Sequence, residues 1–274
     1  MLAFCVNLST LFTELPLLRR AAAARSAGFD AVELWWPFVD PVPPESVLKN
    51  LGESLDEAGV RLVALNLDGG DMARGDRGLV SVPCAGQRFA DNLECAVAFA
   101  GKHGTKVINA LYGNRDLTAS AEVQDELALE RLAVAASAAR PIGARIVLEA
   151  QNRSDSPRYP LRKASQVAAL VDRLHELGQE NVGFLCDLYH LAMEGADLPG
   201  VLAEYSRIID HVQLADVPGR HEPGTGHVDY PHVLRQLETG GYKGFIGCEY
   251  RPSRGSADSF GWLRAVSGSL GTRT

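Results

Sequence analysis

The chain has 274 residues, of which 46% are hydrophobic and 22% are charged, and its formal net charge is -7 at pH 7. These values are typical of globular proteins and exclude a largely disordered chain. The acidic balance argues against a protein whose main activity is binding nucleic acid, because that affinity depends on clustered Lys and Arg. A small anionic substrate held by one or two arginines stays compatible with it.

Cysteine usage and the apolar runs bear on the cellular compartment. The cysteines are widely spaced and form no C-x-x-C pair, so neither a disulfide framework nor a thiolate zinc site is indicated; they are Cys5, Cys84, Cys95, Cys186 and Cys248. The first residues lack the basic leader of a signal peptide, and no apolar run reaches the ~18 residues that a membrane span requires. We therefore expect a cytoplasmic protein without a membrane partner.

Short apolar runs alternate with helical patterns along the whole chain. The runs predict strands at 3–8, 30–34, 61–67, 106–111, 144–150, 182–188, 208–216 and 245–250. The helical spacing predicts helices at 14–27, 44–58, 87–102, 120–139, 163–177, 198–205, 232–237 and 259–265. The chain is thus predicted to contain eight strand-helix units.

This repetition favours an α/β fold in which residues 1–274 form a single (β/α)8 TIM barrel, since about 250 residues is typical of such barrels. A doubly wound open sheet is the alternative. It would normally carry a glycine-rich phosphate loop after its first strand, but residues 7–14 read NLSTLFTE. The chain has neither a G-x-G-x-x-G motif nor a Walker loop, so we expect no nucleotide cofactor.

Four polar residues stand at the predicted carboxyl ends of strands, where barrel enzymes carry their working residues: Glu149, Asp187, Gln213 and Glu249. Each follows an apolar residue, and neighbouring strand residues face opposite ways, so each polar side chain can face the barrel mouth. Carboxylates that converge there would repel one another unless a cation lies between them. The pattern predicts a divalent metal ion, with scattered acids that bind only water as the alternative.

Oxygen ligands favour Mg²⁺ or Mn²⁺, while Zn²⁺, Co²⁺ and Ni²⁺ stay open.

Segments along nearly the whole chain closely resemble the hydroxypyruvate isomerase family, within the xylose-isomerase-like barrel superfamily that also includes ketose 3-epimerases. These segments are LEAQN (148–152), CDLYHLAMEGADL (186–198), HVQLADVPGRHEPGTGHVDY (211–230), GYKGFIGCEYRP (241–252), NLSTLFTELPLL (7–18) and NALYGN (109–114). Two departures leave the substrate open. Ala-Gln-Asn follows Glu149 where the family more often has Pro-x-Asn, and His227 stands where an acidic residue is common.

The resemblance implies that Glu149, Asp187, Gln213 and Glu249 ligate the metal. It also implies that Glu149 and Glu249 move protons and that His190 and Arg220 contact the substrate. A glutamine at position 213, where the sugar epimerases have a histidine, is a mark of the isomerase branch.

The predicted chemistry is the interconversion of a 2-keto alcohol and a 2-hydroxy aldehyde, in which a proton moves between neighbouring carbons through an enediol. The resulting hypothesis is an isomerase of hydroxypyruvate and tartronate semialdehyde, acting on a small anionic hydroxy-oxo acid. The alternatives are a 2-oxo-tetronate isomerase, a ketose 3-epimerase or a noncatalytic small-molecule-binding barrel. Which glutamate is the base and whether the protein forms a homo-oligomer stay open.

Several further residues have both a functional and a structural interpretation. Arg220 could pair with a substrate carboxylate or be a solvated loop arginine, and His190 could contact substrate or be a buried structural histidine. Asn7 and Asn66 end the first and third strands, where an asparagine either contacts substrate or serves a turn.

Trp35 and Trp36 end the second strand and could form an aromatic wall or simply pack. We expect His211 to lie in the barrel interior, one layer below Gln213.

Overall fold

A computed structural model describes residues 2–267 and 272–273, with side chains described for residues 2–264. The strands are β1 Leu2–Asn7, β2 Ala31–Leu34, β3 Arg61–Asn66, β4 Val107–Asn109, β5 Arg145–Glu149, β6 Val182–Asp187, β7 Ile209–Leu214, β8 Phe245–Cys248 and β9 Thr272–Arg273. The helices are α1 Leu17–Ser26, α2 Glu45–Ala58, α3 Gly86–Lys102, α4 Ala121–Ala139, α5 Ala164–Glu176, α6 Leu188–Met193, α7 Leu198–Glu204, α8 Tyr230–Thr239 and α9 Gly261–Ser267.

Strands β1 to β8 form a closed parallel barrel. Each strand pairs with the next in sequence, and β1 pairs with both β8 and β2, which closes the ring. The short β9 pairs in parallel with the start of β1. The predicted (β/α)8 barrel is therefore confirmed, and the open-sheet alternative is wrong because no edge remains between β1 and β8.

The local sequence accounts for how the elements begin and end. Helix α2 ends at Gly59, which adopts φ +65, a left-handed conformation that glycine enters without steric cost. Helix α4 begins after Ser120, whose hydroxyl accepts a hydrogen bond from the Val123 N–H. Strands buried on both faces, such as β6, read as continuous apolar runs because helices cover the outside of the barrel.

The largest difference from the predicted elements follows β6. The prediction extended the strand to Leu188, but the chain turns into α6 directly after Asp187. The Asp187 carboxylate caps this helix by accepting hydrogen bonds from the N–H groups of Tyr189 (2.8 Å) and His190 (3.2 Å). The helix that we predicted at 259–265 is present as α9, which begins at Gly261 and is preceded by a 3₁₀ turn, Ser256–Phe260.

Within the described residues, no helix is both long and apolar enough to cross a membrane.

Candidate active site

A cavity of about 280 Å³ opens at the mouth of the barrel, where the strands have their carboxyl ends. This volume lies just below the usual range of about 300–1,000 Å³ for small-molecule sites. Its lining comes from the strand ends and the loops that follow them: Trp35, Asn66, Met72, Arg77, Leu111, Glu149, Gln151, Asp155, Ser156, His190, Arg220, Glu249 and Arg251.

Three acidic side chains meet at the base of this mouth, as the sequence predicted. Glu149 is the last residue of β5, Asp187 is the last residue of β6, and Glu249 directly follows β8. All three are buried, with 5% exposure or less. The Asn109 amide donates a hydrogen bond of 3.0 Å to one Glu149 oxygen. The carboxylates therefore lie together in a position that water hardly reaches.

This crowding changes the protonation of the acids. Burial raises the pKa of Glu149 to about 8, and the neighbouring charge of Asp187 adds to the shift. Burial likewise raises the pKa of Asp187, and raises that of Glu249 well above its ordinary value. Since a cation between these groups would favour their ionised forms, the geometry fits a bound metal ion.

Gln213 supplies an independent test of that fit. Its amide nitrogen donates a hydrogen bond of 2.8 Å to Glu33, while its buried Oε1 atom has no hydrogen-bond partner among the described residues. An acceptor left without a donor inside a protein is rare and needs an explanation, and a hard cation takes oxygen ligands of this kind. The donors Glu149, Asp187, Gln213 and Glu249 therefore fit a divalent ion.

Glu33 lies beneath Gln213 in the barrel interior and was missed by the sequence reasoning. It is 1% exposed and accepts hydrogen bonds from Asn7 Nδ2 (2.9 Å), Gln213 Nε2 (2.8 Å) and His211 Nε2 (2.5 Å). Burial by itself would raise the pKa of Glu33, but His211 and these hydrogen bonds lower it. Glu33 thus stays ionised and orients the Gln213 amide with its oxygen away from the carboxylate.

A signal for Glu33 was present in the sequence, since it is a charged residue inside the predicted strand 30–34 and such residues are almost never fully buried unless paired. His211 lies one layer below Gln213, as predicted. The Cys5 sulfur also lies near Glu33 and His211. Because hydrogen bonds already occupy both Glu33 oxygens, these three residues form a hydrogen-bonded layer that supports the site.

His190 lies beside the carboxylates, on the first turn of α6. Its Nε2 atom is 3.5 Å from Glu149 Oε1 and 3.6 Å from Asp187 Oδ2. Its Nδ1 atom accepts a hydrogen bond of 3.2 Å from the Asn152 N–H, which places the ring proton on Nε2 and directs it toward the acids. Burial, followed by the charge of Arg220, lowers the pKa of His190 well below its ordinary value, so the ring is neutral.

Arg220 lies across the same acids. Its Nη2 atom is 2.8 Å from Glu249 Oε1 and 3.7 Å from Asp187 Oδ2. The guanidinium group also stacks over the Tyr189 ring, 5.0 Å from its centroid. Arg220 is thus not a solvated loop residue, and much of its charge is balanced by site carboxylates.

Comparison with known proteins decides the family. The sequence profile of the xylose isomerase-like TIM barrel family matches residues 21–266. The chain belongs to this family. It is 50% identical over 266 residues to a Streptomyces coelicolor protein named "Putative hydroxypyruvate isomerase", covering 96% of this chain and 95% of that one.

It is also 34% identical over 265 residues to the 2-oxo-tetronate isomerase of Cupriavidus necator, covering 97% and 98% of the two chains. A solved structure titled as an AP endonuclease, family 2, from Brucella melitensis superposes with a TM-score of 0.87 at 30% identity, covering 97% and 99% of the chains. The relatives' names and the shared barrel show that this chain is an isomerase.

The remaining predicted residues lie in different parts of this xylose isomerase-like barrel. Asn66 lines the cavity. Asn7 does not appear in the lining; its amide nitrogen donates to Glu33 and its oxygen accepts from the Ser9 N–H. Trp35 forms part of the cavity wall, whereas the Trp36 ring packs edge-on against Phe38.

The sequence reasoning also missed four polar lining residues in the loops after β3 and β5: Arg77, Gln151, Asp155 and Ser156. Gln151 directly follows the predicted strand 144–150, which is a signal that could have found it. Arg77, Asp155 and Ser156 lie farther from any predicted strand end and have no such signal.

Proposed function

We propose that this isomerase interconverts hydroxypyruvate and tartronate semialdehyde by moving a proton between C3 and C2. The observation that carries the proposal is that Glu149 and Glu249 line one small cavity. The buried oxygen of Gln213, which pairs with Asp187 on the neighbouring strand, has no hydrogen-bond partner among the described residues. The relative named for hydroxypyruvate, at 50% identity over nearly the full length, supports the choice of substrate.

We propose that Glu149, Asp187, Gln213 and Glu249 hold a divalent metal ion, Mg²⁺ or Mn²⁺ in the first place. The ion would supply Lewis-acid stabilisation of the negative charge that develops on the substrate oxygens. The donor set is rich in carboxylates and contains no thiol, which supports a hard cation. Zn²⁺, Co²⁺ or Ni²⁺ could bind the same donors, but an all-oxygen site is less typical of these ions.

In this proposal the two glutamates carry out the proton transfer. One of them takes a proton from C3 of hydroxypyruvate, giving an enediolate, and the same residue or its partner delivers that proton to C2. The proton of the C3 hydroxyl passes to the C2 oxygen, so that C3 becomes the aldehyde and C2 carries the hydroxyl. A buried carboxyl with a raised pKa, such as Glu149, suits both directions of this exchange because its protonated and ionised forms are close in free energy.

The other side chains have supporting roles in this scheme. His190 directs its Nε2–H toward the acids and is placed to donate a hydrogen bond to a substrate oxygen. Arg220 balances the charge of Glu249 and Asp187, and Asn66 faces the cavity, where its amide is available to a substrate hydroxyl.

The decisive experiment replaces Glu249 with Gln and follows isomerisation of hydroxypyruvate and uptake of solvent deuterium. We expect Glu249→Gln to fold normally and to lose turnover by at least about 10²-fold, the usual contribution of a general acid or base. Glu57→Gln, a change on the exposed face of α2, is the matched control and should keep full activity. An unimpaired Glu249→Gln would reject the proton-transfer role.

A 2-oxo-tetronate isomerase is the second candidate, supported by the Cupriavidus relative. Assays of hydroxypyruvate, a 2-oxo-tetronate and a free ketose in parallel separate the isomerase assignments from a ketose 3-epimerase. A noncatalytic binding barrel would bind metal in elemental analysis but exchange no deuterium into any of the three.

We further propose a cytoplasmic location, since Cys5, Cys186 and Cys248 are buried free thiols of the kind that persist in a reducing compartment. The acidic net charge supports the absence of a nucleic-acid partner.

A further inference from the structure

Arg77 is a cationic side chain in the cavity that has no role in the proposed proton transfer or metal binding. It lies in the loop between β3 and α3, is half-buried, and lines the same cavity as Glu149 and Glu249. Its position therefore brings a permanent positive charge to the place where the substrate binds.

The guanidinium group of Arg77 is held entirely by neutral acceptors. Its Nε–H donates to the Ser156 hydroxyl (3.2 Å), and its Nη1 atom donates to the backbone oxygens of Asp76 (2.6 Å) and Met72 (3.2 Å). Its Nη2 atom makes only a long contact of 3.4 Å to the backbone oxygen of Asp155. Among the described side chains no carboxylate pairs with Arg77, so its charge is uncompensated and an Nη2 hydrogen stays available.

The backbone around Arg77 is fixed as well. The Arg77 carbonyl accepts a hydrogen bond from the Gly113 N–H (3.1 Å), and the Gly78 N–H bonds to Gly69 (2.9 Å). Gly78 has φ +108, and an added Cβ would lie 2.0 Å from the Leu111 carbonyl oxygen. The loop is thus pressed against the segment that follows β4, and the guanidinium group is positioned before any ligand arrives.

Charge balance separates Arg77 from Arg220. A divalent cation together with Arg220 would neutralise the three carboxylates Glu149, Asp187 and Glu249, since Arg220 already pairs with two of them. The two other charged residues of the lining, Asp155 and Arg251, are of opposite sign. A substrate carboxylate entering this cavity consequently needs a further cation, and Arg77 is the half-buried one that carries no acidic partner.

We propose that Arg77 is the specificity-determining residue that binds the carboxylate of a 2-oxo acid substrate and so distinguishes such acids from neutral ketoses. The inference rests on the proposed isomerase function, and it moves the carboxylate contact from Arg220, where the sequence placed it, to Arg77. Ser156 and Gln151 support the anchor, because the Ser156 hydroxyl that accepts from Arg77 donates in turn to Gln151 Oε1 (2.7 Å).

The test compares hydroxypyruvate with 1,3-dihydroxyacetone, in which a hydroxymethyl group replaces the carboxylate. Wild type, Arg77→Met, Arg77→Lys and the control Arg74→Gln are assayed for turnover of both compounds in Mn²⁺-loaded enzyme. Binding of hydroxypyruvate is measured separately by calorimetry. Arg74 lies in the same loop, but its side chain is 88% exposed and pairs with Asp71, so its removal changes the loop charge without changing the cavity.

We expect Arg77→Met to raise the Kd and KM for hydroxypyruvate about 10-fold to 100-fold, the usual effect of losing hydrogen bonds to a charged group. The dihydroxyacetone kinetics should stay within about 2-fold of wild type, and Arg77→Lys should recover part of the affinity because it restores the charge but not the planar donor geometry. Arg74→Gln should behave as wild type.

The two proposals fail in different ways. If wild type binds hydroxypyruvate but never converts it, the assignment of hydroxypyruvate as the substrate is wrong, and the calorimetry still decides the role of Arg77. If Arg77→Met binds hydroxypyruvate as tightly as wild type, Arg77 does not bind the substrate carboxylate, even if the enzyme is an active isomerase. The same conclusion follows if the variant loses activity equally toward hydroxypyruvate and dihydroxyacetone.

Discussion

Replacing Glu33 with Ala should destabilise the barrel more than any surface change. Asn7, Gln213 and His211 each donate a hydrogen bond to this carboxylate from a buried position. A buried donor left without its acceptor costs about 1–3 kcal/mol, and removing one partner of a buried charged pair costs about 3–5 kcal/mol. The lower bound for the loss of the network is therefore about 3 kcal/mol, a fall in Tm of about 6–12 °C for a chain of this size.

The same substitution should weaken metal binding, because Glu33 orients the Gln213 amide. Removing a group that orients a metal ligand typically lowers affinity about 10-fold to 100-fold. Glu33→Gln retains one acceptor oxygen for Gln213, so its Mn²⁺ affinity should lie between those of wild type and Glu33→Ala. The assays are thermal unfolding and calorimetric titration with Mn²⁺.

Glu57→Ala, an exposed change on α2, serves as control for loss of a glutamate without loss of a network. The reasoning would be refuted if Glu33→Ala had the same Tm as the control and the same Mn²⁺ affinity as wild type. The hydrogen bonds around Glu33 would then neither stabilise the fold nor orient the Gln213 ligand.

Three further outcomes can be measured. Gly247→Ala should lower stability by about 1–3 kcal/mol, because the new Cβ would lie 2.5 Å from Glu33 Oε1, while Gly261→Ala, with no atom within 4 Å of its Cβ, should melt as wild type. Burial lowers the pKa of His103 below 6.5, so the folded chain loses stability as pH falls through that value; His103→Asn should show a smaller drop in Tm between about pH 7.5 and pH 5.5, and an equal drop would contradict the assignment. Mn²⁺ at about 100 times its Kd should add about 2.7 kcal/mol to the free energy of unfolding, and EDTA should remove that gain; a Tm unaffected by either would argue against a metal site.

The sequence was sufficient for the barrel because its evidence is periodic. Eight apolar runs alternate with helical patterns. Strands that are buried on both faces read as such continuous apolar runs, so each run could be assigned as a strand of a parallel sheet. The same periodicity placed Glu149, Asp187 and Gln213 at or near strand ends, where they are found. Boundaries were less accurate, as at α6, because a single capping carboxylate decides whether an apolar run continues as strand or turns into helix.

Contacts between distant segments could not be predicted in the same way. Glu33 and Gln213 are 180 residues apart in sequence, and Arg77 meets Ser156 across 79 residues. No local pattern distinguishes Arg77 from the neighbouring Arg74, since both are loop arginines that differ only in what surrounds them after folding. The assignment of Arg220 to the substrate carboxylate failed to anticipate its pairing with Glu249 for the same reason.

The arrangement of the mouth has a practical consequence for redesign. The four proposed metal donors come from β5, β6, β7 and the residue after β8, in the second half of the chain, whereas Arg77 belongs to the loop between β3 and α3. If both proposals hold, the residues for reactivity and the residue for carboxylate recognition lie in separate stretches of the sequence. Grafting residues 67–86 from a relative with another substrate would exchange Arg77 together with its loop, while the strands that carry the proposed metal donors stay unchanged.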